Sequence, residues 1–401
     1  LPTPPRSAST YASQPATVRG QAVHMGGDPK GVNFLYTNGR AVVIRNLANP
    51  EIASLYTQHT SQATVARYSP SGFYIASADV QGNIRIWDTV GGESILKTET
   101  RPFAGRVNDL SWDFESKRII AVGEGKDRFG HAFLFDTASS VGEISGHSKA
   151  INSVSIRPGR PLRAVTGSDD MTVNFYHGVP FKFNTSIKDH SRFVQCVRYS
   201  PSGDHFVSSG SDGKLFLYDG KTAEKVAELS TAESSHTGGI FSISWSPDGT
   251  NLLTSSADMT AKIWDVSARS VVSTFNFSTA PTFEHQQVGN LWQGNHLISL
   301  SLSGDINYLD KATGSTSRIV KGHQRAITAL AIGKDKTLYS GSYDGRICAW
   351  ADASTGAQLP ANAGHTNQVS GLAVDDSVVH SVGMDDTQRT IAGAGETLAF
   401  E

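Results

Sequence analysis

Five histidines recur with a period of about 43 residues: His147, His190, His236, His323 and His365 stand 43, 46, 87 and 42 apart, and 87 is two periods. Each is followed 20 to 23 residues later by an aspartate in a tight-turn sequence, at Asp170, Asp212, Asp258, Asp344 and Asp385. Short runs ending in aromatic-Asp often follow, as in Ile84-Arg85-Ile86-Trp87-Asp88 and Ala261-Lys262-Ile263-Trp264-Asp265. The unit starting at His190 shows the logic. Val194 to Tyr199 reads as an inner strand, and Ser200-Pro201-Ser202-Gly203 as a turn, with Pro fixing φ and Gly admitting positive φ. His205 to Ser209 is a second strand, Asp212-Gly213 a hairpin turn, Lys214 to Tyr218 a third strand and Lys225 to Leu229 an outer one. No helical period of useful length competes with these short strands.

This is the pattern of a WD repeat, with four strands per propeller blade, and the fold class is all-β. Nine repeats are expected. The first, at about 15–50, keeps the strand Ala41 to Arg45 but lacks the His and the Trp-Asp; the seventh is weak, clearest from Gln293 to Asp310. One blade cannot bury both faces of its sheet, so neighbours stack and the ring closes. Seven blades is a common closure. The expected organisation is a flexible segment over 1–14, a seven-bladed propeller over 15–312, and two repeats of an incomplete second propeller over 313–401. Two blades alone leave apolar sheet faces wet, which is unfavourable at roughly 25 cal/mol per Å². A single nine-bladed ring is the alternative.

Composition bounds the function. A net charge of -2 with no basic run argues against nucleic acid or an acidic membrane as partner. No stretch approaches the apolar length of a membrane span. Cys196 and Cys348 lie in apolar strand patterns and suit buried thiols in a cytosolic protein. The sequence opens on Leu1 in a Pro/Ser/Thr-rich stretch with no apolar signal core, so a trimmed or incomplete chain is expected.

Recurring Ser, His and Asp invite a catalytic triad, but a nucleophile is normally singular, and here the same set repeats blade after blade. The structural alternative is a hydrogen-bond network that satisfies buried polar groups, as with His236, Ser255 or Ser256, Asp258 and Trp264. No metal-ligand spacing occurs, and Gly123-Glu124-Gly125 opens a hairpin rather than a helix, so it is no nucleotide fingerprint. Neither an enzyme nor a cofactor is expected. Three features stand out instead. The enlarged turn of repeat three places Glu124, Lys126, Asp127 and Arg128 beside Phe129. Pro180-Phe181-Lys182-Phe183 follows an altered ending in repeat four, where strand alternation buries one Phe and exposes the other. Arg192-Phe193 follows His190 in the loop entering the next inner strand. Either these are loop tips and gap-filling aromatics, or they form one contact patch on neighbouring blades.

Several strings are not general to WD repeats: Asp28-Pro29-Lys30-Gly31, Ser69-Pro70-Ser71-Gly72-Phe73-Tyr74, Pro102-Phe103-Ala104-Gly105, Val122-Gly123-Glu124-Gly125, Pro180-Phe181-Lys182-Phe183 and Gly364-His365-Thr366-Asn367-Gln368. In these, from about Tyr11 to Ile391, the chain resembles the actin-interacting protein 1 family of WD-repeat proteins. That resemblance implies two seven-bladed propellers, binding to actin filaments decorated with cofilin (ADF), filament severing and disassembly, barbed-end capping, a cytoplasmic place at cortical actin, and no catalysis. Motif for motif it implies Asp127, Asp169, Phe183 and Phe193 as filament-binding residues, with Glu124, Lys126, Arg128 and Lys182 beside them. It also implies that the segment near Tyr11 to Val18 helps close a second ring. After Thr390 the sequence departs from the family. The rival class is a generic WD scaffold, such as a ubiquitin-ligase substrate receptor.

Overall fold

The computed structural model describes residues 12–231, 234–278, 282–350, 364–375, 378–392 and 399–400. Among them the strands form nine antiparallel sheets, eight of four strands and one of three, each built from strands consecutive in sequence. The one helical element among the described residues is a 3-10 turn at Phe283–His285. This is β-propeller architecture. The sheets span 26–56, 63–100, 107–143, 151–187, 194–228, 240–276, 287–320, 327–350 and 369–400.

The strand grammar expected at His190 is met: Val194–Tyr199, His205–Gly210, Leu215–Asp219 and Lys225–Glu228 pair in that order. Burial explains the composition. Second strands such as Arg163–Ser168 and Asn251–Ser256 are buried at every position but the first, because neighbouring sheets cover both faces. Outer strands such as Lys225–Glu228 face solvent, with Lys225, Val226 and Glu228 exposed. From the second sheet to the ninth, the first and second strands shift register at one equivalent place, as between Val194 and Cys196 or Ile240 and Ser242. A bulge recurring once per repeat bends each inner strand at the same point.

Inner strands of consecutive sheets contact one another from the first sheet to the seventh, and the seventh sheet's Gln287–Gln293 contacts Gly26–Gly27 of the first. The approach is close there. A Cβ on Gly27 would lie 2.0 Å from Gln293 Oε1 and 3.3 Å from Leu291. The eighth and ninth sheets pack on each other through Ile327–Ile332 and Val369–Asp375. Among the described residues no such partner covers its other face, and the eighth sheet's inner strand leaves Ile327, Leu330 and Ile332 exposed, at 51, 61 and 67%.

Of the segment 1–14, residues 1–11 lie outside the described residues, and Ala12, Ser13 and Gln14 are held in place. Arg45 donates to Ala12 O (2.9 Å), Tyr36 to Ser13 O (2.7 Å), and Gln14 N donates to His323 O (2.8 Å). Gln324 donates to Pro15 O and Thr17 Oγ1, so this segment bridges the first sheet and the eighth.

Candidate functional site

The histidine network is structural in its geometry. His147 Nδ1 lies 2.9 Å from Asp170 and its Nε2 2.7 Å from Thr166 Oγ1. His190 meets Asp212 (3.1 Å) and Ser208 (2.8 Å), and His365 meets Asp385 (2.8 Å) and Ser381 (2.9 Å). In the sixth sheet the hydroxyl is Thr254, not Ser255 or Ser256. It lies 2.8 Å from His236 Nε2 and accepts from Trp264 Nε1 at 2.9 Å, while Asp258 takes His236 Nδ1 at 2.8 Å. Alternation turns Ser255 to the opposite face, toward Ser299 of the next sheet, while Ser256, at the end of the strand, gives its hydroxyl to Gly238 O. Burial tends to raise the Asp170 carboxyl pKa, but hydrogen bonds from His147 and Thr172 outweigh it and hold the group well below the usual range.

The pairing of His323 with Asp344 departs from expectation. His323 Nε2 meets Ser340 (2.7 Å), but Nδ1 faces Cys348 Sγ at 3.9 Å, and Asp344 takes the hydroxyl of Ser342. In the fourth, sixth and ninth sheets a threonine two residues on braces the aspartate: Thr172, Thr260 and Thr387. In the eighth that position is Arg346, whose guanidinium is drawn to Gly322 O and Ser303 O. The second sheet holds a set that the histidine count overlooked: His59 Nε2 meets Ser77 (2.8 Å), Trp87 donates to the same hydroxyl (3.1 Å), and Asp79 lies 3.9 Å from Nδ1. The spacing of 20 residues from His59 to Asp79 was the available signal.

The candidate binding residues sit on the third to fifth sheets. First and third strands run the same way, so each turn between strands two and three emerges at the same end as the loop entering that sheet. Asp169 lies in such a turn, Phe193 in such a loop, and Glu124, Lys126, Asp127 and Arg128 in the enlarged turn at 123–130. Glu124, Lys126 and Asp127 are exposed. The turn rests on the preceding loop: Glu124 N donates to Arg106 O (2.8 Å), Lys126 N to Ala104 O (3.2 Å), and Phe103 is buried. Asp169 accepts from Asn152 Nδ2 (2.7 Å), which also donates to Val194 O (3.0 Å), tying Asp169 to the residue after Phe193.

One buried and one exposed phenylalanine were expected in Pro180-Phe181-Lys182-Phe183, but strand alternation is not the cause, since residues two apart share a face: Phe181 precedes the strand Lys182–Ile187, in the turn, with a positive φ of 62°. Phe181 is fully buried and Phe183 is 44% exposed. Lys182 and Phe183 begin the fourth strand, at the opposite end from the other candidates. The Phe183 ring leans back toward them: it meets Tyr176 edge-on at 6.2 Å, and a Cβ on Gly146, in the loop entering that sheet, would fall 2.7 Å from it. Phe193 is 45% exposed, with the Lys149 ammonium 5.8 Å from its ring centre. Lys149 and the exposed Met171 belong to the same surface and were not singled out from sequence. Both precede or follow structural residues of the repeat, which hid them.

Cys196 and Cys348 are buried free thiols, and burial pushes Cys348 up to about 12. Among the described residues no group of three or more His, Cys, Asp or Glu is placed to hold a metal ion, and no helix is long and apolar enough to cross a membrane.

Comparison with known proteins bears on what this surface serves. The family described as WD domain, G-beta repeat matches residues 51–88, 138–177, 181–219, 227–265 and 314–351. WD repeat-containing protein 1 of Gallus gallus is 54% identical over 386 residues, covering 94% of this chain and 63% of the relative. Actin-interacting protein 1 of Drosophila melanogaster is 50% identical over 400 residues, covering 99% of this chain and 65% of the relative. The chain thus spans just under two thirds of the length of these relatives. A crystal structure of the computationally designed Ika8 protein superposes with a TM-score of 0.52 at 22% identity, over 79% of this chain and 92% of that one, a likeness of fold alone.

Proposed function

Since this chain belongs to the WD-repeat family of actin-interacting protein 1, we propose that it is a cytoskeletal binding protein that recognises actin filaments decorated with cofilin. In this reading it promotes severing and disassembly of those filaments and takes part in barbed-end capping, in the cytoplasm at cortical actin. It works by binding, with neither catalysis nor cofactor, and needs neither nucleic acid nor membrane. The first seven sheets form one closed ring, and the last two belong to a second, partial propeller; the boundary falls after Val320 rather than at the expected 312, because Ser315–Val320 is the outer strand of the seventh sheet.

The observation that carries the proposal is a pair of half-exposed phenylalanines, Phe183 and Phe193, on adjacent sheets, with the charged turn at 123–130 on the sheet before them. Exposed aromatics ringed by charge are the usual composition of an interface hot spot. Asp127 and Asp169 would meet basic groups on the filament or on cofilin and set encounter and register, while the two rings bury apolar area. The relative named for its interaction with actin supports the choice of partner.

Cosedimentation with actin filaments, with and without saturating cofilin, tests this. Pelleting that depends on cofilin is expected. A folded chain that stays in the supernatant in both arms would overturn the proposal.

A further inference from the structure

A charged cluster sits where the inner strands converge, and the contact surface above makes no use of it. Arg198, on the fifth sheet, reaches past the fourth to Asp109 on the third at 2.8 Å. Arg67, on the second sheet, donates to the other Asp109 oxygen at 2.9 Å. Ser153 of the fourth sheet donates to Asp109 (3.1 Å), and His24 Nδ1 lies 3.1 Å from Arg198. Asp109 is completely buried, while the Arg67 and Arg198 side chains keep 18 and 17% exposure. Burial tends to raise the Asp109 carboxyl pKa, but the Arg198 and Arg67 guanidiniums outweigh it and keep the group ionised. Burial, with help from the two arginines, pulls His24 down to about 4, so it is neutral at pH 7. Two guanidinium charges against one carboxylate leave one positive charge unbalanced.

Arg67 and Arg198 also line a cavity of about 310 Å³, together with Tyr68, Ser111, Trp112 and Ser155 among others, and no Asp or Glu is among its lining residues. The two serines are set as donors. Ser111 Oγ accepts from Ile156 N (3.0 Å) and Ser155 Oγ accepts from Tyr199 N (3.1 Å), and among the described residues neither hydroxyl hydrogen is given to an acceptor. A pocket with two cations, two aimed hydroxyls and no anion of its own is complementary to a small oxyanion.

We propose that this cavity is an oxyanion-binding site, in which a carboxylate or phosphate group is held by Arg67 and Arg198 and receives hydrogen bonds from Ser111 and Ser155. A monoanion balances the excess charge. The ligand is either a free ion or the acidic side chain of a protein partner inserted into the pocket.

Isothermal titration calorimetry at pH 7 and constant ionic strength, with inorganic phosphate in one arm and a tetraglutamate peptide in the other, separates these sources. Saturable one-to-one binding of phosphate identifies a free oxyanion; saturation by the peptide alone identifies an acidic partner. Either supports the site, provided the Ser111→Ala, Ser155→Ala double variant binds about tenfold or more weakly. That variant leaves the Asp109 ion pairs intact, and its melting midpoint checks that it is folded. Arg67→Gln is expected to abolish binding. Saturation in neither arm, or equal affinity in the double variant, overturns the proposal.

Discussion

Thr254 shows how much one hydroxyl holds in this repeat. With His236 Nδ1–H given to Asp258, the neutral ring leaves Nε2 to accept from Thr254, whose oxygen accepts in turn from Trp264. Burial lowers the His236 pKa despite Asp258, which keeps the ring neutral. Thr254→Val preserves shape but strands the Trp264 donor and the His236 acceptor. Urea unfolding is expected to show a loss of about 2–4 kcal/mol; a loss under about 0.5 kcal/mol would show that the relay contributes little. The phenylalanines divide differently. Phe193 lies against Lys149 alone among the ring and cation contacts found, whereas Phe183 packs on Tyr176 and covers Gly146. Phe193→Ala should therefore leave the melting midpoint unchanged yet weaken cofilin-dependent cosedimentation by about tenfold, while Phe183→Ala lowers both. Asp127→Ala, an exposed charge, should weaken binding only a fewfold. Equal losses for Asp127 and Phe193 in the same titration would remove the ranking.

At the scale of elements, what was legible was whatever repeats. The His–Asp spacing located the turns, and the short runs between turn signals, such as Val194–Tyr199 and His205 to Ser209, located strands that neighbouring sheets then covered. The eighth sheet's departure was not legible, because replacing a bracing threonine with Arg346 matters only through the carbonyls that the guanidinium finds. The Asp109 cluster was hidden for a related reason: Arg67, Asp109, Ser153 and Arg198 lie one repeat or more apart and meet only where inner strands converge. The candidate patch was legible in its residues and only partly in its layout, since Lys182 starts its strand at the far end from Asp169. The enlarged turn at 123–130 is an element with its own support. A Cβ on Gly125 would lie 1.8 Å from Arg128 O and 3.2 Å from the Phe103 ring. Gly125→Ala must therefore move backbone, at about 1–3 kcal/mol. Hydrogen exchange is expected to speed up within 123–130 while the sixth sheet stays protected; unchanged exchange in the turn would show that it tolerates the methyl group.

Across the whole molecule, the stacking that lets each sheet bury both faces also seals histidines away from water. His24, His59 and His323 belong to different sheets or their approaches, and burial pulls each from 6.5 down to about 4, although Asp109, Asp79 and Asp344 each pull the other way. The unfolded chain therefore takes up three protons near pH 6.5 that the folded chain resists until about pH 4. Stability should be full above that window and fall as pH drops through it. Carboxylates act lower down: Asp258, held at about 2 by His236 and Thr260 against the opposing effect of burial, loses its contribution only as pH falls below 3.8. The two effects are separable because their windows barely overlap. Melting midpoints at constant ionic strength should hold steady from pH 8 to 7 and drop by roughly 5 °C or more between pH 7 and 4.5. His59→Gln removes one of the three protons and should reduce the drop, whatever it does to the midpoint at pH 7. A midpoint flat across this range would mean that the buried imidazoles charge freely in the folded state, contrary to the packing that places them beside Ser77 and Ser340.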